Sequence, residues 1–152
     1  MFRNIVLTFT LFLVPMQAFA WTYYTEEDPI SGDVYYVAEA FSDHGSEGIG
    51  VLCSHEQTGK YLGIGFSADY AFATGQSEYV EYRVGDYSNS SDWIVFNQNM
   101  IVVVGTSEVD RFIDELIEGD SAYFRTENAN DLMEFDIRGG ENEIQRVLNQ
   151  CN

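Results

Sequence analysis

The sequence predicts a mainly β (α+β) fold: an antiparallel β-sandwich or small barrel of about eight strands, with two amphipathic helices packed on it. Three observations lead there. From Asp33 onward, short runs dominated by Tyr, Phe, Val and Ile recur along the chain. Polar or glycine-bearing breaks separate these runs. Two later stretches abandon the period of two for apolar residues spaced at i, i+3 and i+4. Many short strands at such spacing pack as an antiparallel sandwich or barrel rather than as a parallel sheet.

The elements follow in order. The opening MFRNIVLTFTLFLVPMQAFAWTYY places Arg3 before an apolar run at 5–14, then Pro15, then Ala18-Phe19-Ala20. This is the layout of a secretory signal peptide cut before Trp21. The apolar run is shorter than the roughly 20 residues of a spanning helix, so residues 1–20 are read as a leader and not an anchor. Residues 21–152 then form a single β-rich domain, expected to be soluble, with no membrane span after the leader is removed. The strand-like runs are DVYYVAEAF (33–41), GIGVLCSHE (48–56), YLGIGFSA (61–68), EYVEYRV (78–84), DWIVFN (92–97), MIVVVGT (100–106), SAYFRTE (121–127) and LMEFDIR (132–138). Thr58-Gly59, 86–91 and 127–131 read as turns. The glycines of GIGVLC and GIGF sit inside strands, where they commonly mark bulges or bends.

In SEVDRFIDELIEGD, Val109, Phe112, Ile113, Leu116 and Ile117 share one helical face. Ser107 suits the N-cap, and Gly119 suits a left-handed C′ position. In ENEIQRVLNQC, Ile144, Val147, Leu148 and Cys151 share another such face, set off from the last strand by Gly139-Gly140.

Composition bounds the function. The chain is 45% hydrophobic and 15% aromatic, which is a folding composition rather than a disordered one. Seven Lys and Arg face 25 Asp and Glu; only Arg3 leaves with the leader, so the mature chain carries −19. That surface repels nucleic acid and anionic membranes, both of which demand clustered cations. No cofactor is expected.

Two cysteines in an exported chain, Cys53 in a strand and Cys151 on the last helix, point to a disulfide that staples that helix to the sheet. Such a long closed loop is worth roughly 4 to 5 kcal/mol in the chain-entropy account. A zinc site through Cys53 and His55 needs two more ligands, and only Cys151 and His44 remain. A Cys53–His55 nucleophile pair leaves Cys151 unexplained.

Catalysis by paired carboxylates would need two acids at a set separation, one of them in an apolar pocket. Glu81 and Asp136 stand out for their apolar-flanked strands, though the period of two reads both as outward positions. DYSNSSD (86–92) offers alternating oxygens of the kind calcium takes, but lacks the glycine and terminal Glu of a helix–loop–helix calcium loop, and a polar hairpin turn accounts for it. No metal is assigned. Tyrosine is abundant, and one of Tyr35 and Tyr36 must face outward on a strand. Tyr82, Arg83 and Trp93 are the candidate protein-binding residues. Packing in the core, or an ion pair for Arg83, is the alternative, since aromatic strand residues usually pack inward on one face and Tyr82 points away from Arg83.

Trp21, VLC at 51–53, YRVGD at 82–86 and Trp93 come in a distinctive order. Phe112 and Leu116, GDSAYFR at 119–125, FDIRG at 135–139 and Cys151 continue it. This order resembles that of the exported VasI/TagO-like proteins associated with type VI secretion, and of their envelope relatives. The similarity spans nearly the whole mature chain as scattered single residues. It departs where that family shows YRID followed by Trp and a Ser/Asp segment: here Gly85 precedes Asp86, and Trp93 leads into IVFN. A contact made through those polar positions is therefore not expected. The resemblance implies a small disulfide-linked β domain with an accessory role, and it transfers no catalytic residues.

The expected function is that of an exported, non-catalytic binding protein, periplasmic or secreted, whose partner is an envelope or secretion-system protein. The alternatives are an acidic inhibitor of a cationic hydrolase such as a lysozyme, and a hydrolase of envelope polymers.

Overall fold

The computed structural model describes residues 21–42, 45–72, 75–105, 107–127 and 132–152. Residues 1–20, expected to be a leader, His44 and most of the turn expected at 127–131 lie outside the described residues. The elements are β1 (Trp21–Glu27), β2 (Val34–Phe41), β3 (Gly48–Glu56), β4 (Gly59–Ser67), β5 (Ser77–Val84), β6 (Tyr87–Asn97), β7 (Met100–Val104), α1 (Ser107–Glu118), β8 (Ser121–Thr126), β9 (Met133–Asp136) and α2 (Glu141–Cys151). The nine strands form one antiparallel sheet in the order β1-β2-β3-β4-β7-β6-β5-β8-β9. It folds over on itself until β9 comes near β2, so its inner face encloses the core. α2 lies across β1 to β4 and against α1, which packs on β4 and β5.

Period-two alternation decides which residues go inside. Ile49, Val51 and Cys53 of β3, Ile64 and Phe66 of β4, and Val80, Tyr82 and Val84 of β5 are all buried. At the centre Phe124 stacks on Phe66, with ring centroids 5.5 Å apart, and meets Tyr82, Trp93, Phe112 and Phe135 at 5.8 to 6.1 Å. The helices contribute the faces read from their spacing: Val109, Phe112, Ile113 and Leu116 from α1, Ile144 and Val147 from α2.

Cys53 and Cys151 are joined, with their Cα atoms 5.7 Å apart and a sequence separation of 98. That bond removes both the zinc and the nucleophile readings of Cys53. His55 Nε2 and Lys60 Nζ each donate to the Gln150 carbonyl at 2.8 Å, so two donors satisfy a backbone acceptor at the open end of α2.

Four expectations are corrected. β1 is a ninth strand, paired along its length from Trp21 opposite Ala40 to Glu27 opposite Val34. Residues 86–91 are not a turn: the reversal needs only Gly85, at φ 53°, and Asp86, and the polar segment pairs with β5 from Tyr87 onward. Its side chains alternate between faces, so its oxygens do not converge as a calcium loop would require. The strand glycines are not bulges, because the β3–β4 register runs unbroken from Gly48 opposite Ser67 to Glu56 opposite Gly59. Gly119 is not left-handed; a Cβ there would meet the Glu115 carbonyl oxygen at 2.6 Å and Gly85 Cα at 3.1 Å, so close packing against the β5–β6 turn selects glycine.

Replacing both cysteines, Cys53→Ser with Cys151→Ser, should lower unfolding stability by about 4 kcal/mol in urea titrations of the oxidised protein. A loss below about 1 kcal/mol would mean that packing of α2, and not the tether, holds the helix on the sheet.

Candidate functional site

The same alternation that buries Ile49, Val51, Ile64 and Phe66 turns Gly48, Gly50 and Leu52 of β3, and Gly63, Gly65 and Ser67 of β4, to the opposite face. Gly50 sits directly opposite Gly65, and Leu52 opposite Gly63. With no side chains rising from four of these positions, the middle of the outer face is sunk below its surroundings. The flanking strands stand higher. Tyr24 of β1, Tyr35 and Val37 of β2, Val102 and Val104 of β7, and Ile94 and Phe96 of β6 complete a cleft of about 700 Å³. Tyr35 and Phe96 meet edge to face across it, with centroids 6.0 Å apart.

Glu39 closes one end. It is only 7% exposed, and its carboxylate accepts hydrogen bonds from Tyr24 Oη and Ser67 Oγ, both at 3.1 Å. A Cβ on Gly48 would lie 2.2 Å from Glu39 Oε1, so the glycine makes room for this carboxyl. Burial pushes the Glu39 carboxyl above its ordinary value, and the hydrogen bonds from Ser67 and Tyr24 oppose that rise. Burial first, and the Glu39 charge second, push the Tyr24 phenol well above its usual range, so it remains a donor at any physiological pH.

Acids mark the other end. Glu26, Glu27, Asp28 and Glu56 line the cleft there, and among its described lining residues there is no Lys, Arg or His. Asp28 accepts the backbone N–H groups of Ile30 and Ser31 at 2.7 and 3.2 Å, which fixes the loop at the rim and holds its carboxyl below the usual carboxylate range. Ile30, beside it, is almost fully exposed.

The residues singled out from sequence are placed differently. Trp93 and Tyr82 are core residues, 0% and 4% exposed. Trp93 Nε1 donates to Ser91 Oγ at 3.0 Å, and Tyr82 Oη donates to Glu108, which also accepts from Ser91 Oγ at 2.6 Å. Burial, then the Glu108 hydrogen bond, keep the Tyr82 phenol protonated. Arg83 alone of the three is outside, with Nε donating to the Gly85 carbonyl at 3.2 Å. Tyr82, Arg83 and Trp93 therefore do not form a common surface, because a strand sends neighbours to opposite faces. Glu81 and Asp136 are both outward: Glu81 pairs with Arg125 at 3.5 Å and Asp136 with Arg138 at 2.9 Å. They stand opposite Arg125 and Ser121 of β8, four residues or about 13 Å apart, and do not converge. Sequence reasoning missed the cleft and Glu39. The available signal was glycine at i and i+2 on both central strands, in the outward phase, next to a lone acid in AEA.

Two predictions follow from this geometry. Gly50→Ala should destabilise the fold by roughly 1 to 3 kcal/mol, because its Cβ would lie 2.5 Å from the Ala38 carbonyl oxygen, a backbone atom in a fixed ladder. Gly65→Ala, whose nearest neighbour is the Leu52 Cδ2 at 3.2 Å, should cost clearly less. Thermal unfolding of both variants checks that order, and equal losses would refute it. Folded Glu39 also holds its proton more tightly than the unfolded chain does. Its contribution to stability therefore falls as pH rises from the ordinary value near 4.5 through the raised folded value. Glu39→Gln should gain on the wild type across that window and run parallel to it at lower pH. Denaturation curves from about pH 3 to about pH 8 measure this, and a pH-independent difference would contradict it.

No helix among the described residues is long and apolar enough to cross a membrane. No protein-family model, curated protein or solved structure matches this chain at a significant level.

Proposed function

We propose that this protein is an exported accessory protein of the cell envelope, of the VasI/TagO-like kind, and that it works by binding through the outer-face cleft rather than by catalysis. The observation that carries this reading is a preformed, apolar-floored concavity with one buried, oriented carboxyl at its end, the general shape of a ligand site. The placement of the acids favours binding over hydrolysis: Glu39 sits four residues along the strands from the row of Tyr35 and Glu26, at the opposite end of the cleft from the other carboxylates. Glu39 is also engaged by two donors that hold it in place. The long-range disulfide supports an oxidising compartment, and the net charge of −18 supports partners other than nucleic acid or anionic membrane.

The test is capture from an envelope extract on the immobilised, oxidised protein, at low and moderate salt, beside Leu52→Trp, whose indole fills the cleft. Proteins and small molecules in the eluates are both identified. One species held by the wild type at moderate salt, and lost from Leu52→Trp, is the expected result. A basic lytic enzyme released from both proteins as salt rises would replace this reading with that of an acidic inhibitor. Product formed by the wild type and abolished by Glu39→Gln would replace it with an enzyme.

A further inference from the structure

The cleft is more selective than a general apolar groove. Its floor is a sheet face, where the backbone N–H and C=O groups of β1 to β4 and β7 are turned sideways into the ladders. An extended peptide laid on that floor would find no backbone partners for its amides, and each unpaired amide is costly away from water. The hydroxyls along the walls are largely engaged already: Tyr24 and Ser67 donate to Glu39, Ser54 donates to Glu56 at 3.2 Å, and Tyr61 donates to Thr58 at 3.1 Å. What the floor offers instead is contact with Leu52, Val37 and Val102, along about 13 Å between the rows of Glu39 and Tyr35. A volume near 700 Å³ lies within the range of small-molecule sites, roughly 300 to 1,000 Å³.

The charges select further. Five carboxylates line the cleft, four of them at one end and Glu39 at the other, and no described cation answers them. An anionic ligand would be repelled along the whole length, and a cation would be concentrated at the mouth. Glu39 has capacity to spare. A carboxylate offers about four acceptor positions, and Tyr24 and Ser67 fill two. A ligand N–H group reaching this end would meet an acceptor already oriented, in surroundings where a charge-assisted hydrogen bond is strong.

We propose that the cleft takes a small amphipathic cation, an apolar body lying over Leu52, Val37 and Val102 and carrying one amine or guanidinium that Glu39 accepts. This rests on the reading of the cleft as a binding site. Neither the acid rim nor the apolar floor would suffice alone; the floor supplies the affinity, and the carboxylates choose the sign of the head group.

Titrations followed by NMR on the oxidised protein test this with four probes: decylamine, 1-decanol and decanoate, each below its aggregation limit, and the peptide Leu-Lys-Leu-Lys. Decylamine should shift the signals of Leu52, Val102 and Met100, and bind at least about tenfold more tightly than decanol. Decanoate should bind most weakly. Glu39→Gln should bring decylamine down to the decanol level while leaving decanol unchanged, and Glu56→Gln, at the exposed end, should weaken decylamine less. Should Glu39→Gln not fold, Leu52→Trp provides the second variant and should lose both alkyl probes. Equal affinity for decylamine and decanol would overturn the cationic selection while leaving the binding site intact. Tighter binding of decanoate would overturn it outright. Binding of the peptide at these residues without decylamine would overturn the small-ligand assignment in favour of a peptide partner. No response to any probe would overturn both this proposal and the cleft as a site.

Discussion

Phe66 and Phe124 come from opposite halves of a single sheet, and their stacked contact at 5.5 Å brings those halves together. Every other arrangement in the molecule follows from it. Once β4 and β8 meet through these rings, the face carrying Phe66 becomes the inside, and Ile49, Val51 and Cys53 on the paired strand are turned the same way. Phe135, Tyr82, Trp93 and Phe112 then complete an aromatic centre whose rings meet mostly edge to face or tilted, the geometries that aromatic quadrupoles favour. The helices close what the folded sheet leaves open, and the disulfide fixes α2 over β3.

Packing of the inner face dictates the outer one. In a strand a residue cannot be moved to the core without sending its neighbours out, so the burial of Ile49 and Val51 places Gly48 and Gly50 on the other side, and Ile64 with Phe66 places Gly63 and Gly65. The absence of side chains there is structural in its own right. Gly48 gives space to the Glu39 carboxyl, and Gly50 lies too near the Ala38 carbonyl to carry a Cβ. A sunken floor, an oriented carboxyl and a raised aromatic wall thus come from one periodicity. Strand glycines weaken a sheet, and here close approach of neighbouring backbone and side-chain atoms selects Gly48 and Gly50.

The charge of the protein also has two readings at once. Taken over the whole chain, an excess of acids over bases repels polyanions. Five of the acids gather around an apolar cleft with no cation among its described lining residues, an arrangement that would favour a cationic ligand over an anionic one.

By itself the sequence determined the fold class, both helices and their buried faces, the disulfide, and most strand bounds to within two residues, because these depend on short-range periodicity and on the small number of cysteines. It was misleading at 86–91, where polar residues that favour turns are held in β6 by pairing with β5, and at Gly119, where contact with Gly85 and not backbone handedness selects glycine. For Tyr82 and Trp93 the sequence left interface and core both open, for want of any means to tell an inner from an outer aromatic; the structure places both in the core. Only the tertiary structure decided that β4 pairs with β7, that Gly50 faces Gly65, and that Glu39 lies under Tyr24 and Ser67. These are contacts between strands distant in sequence, and their register depends on which faces pack together, a choice made by the whole core at once.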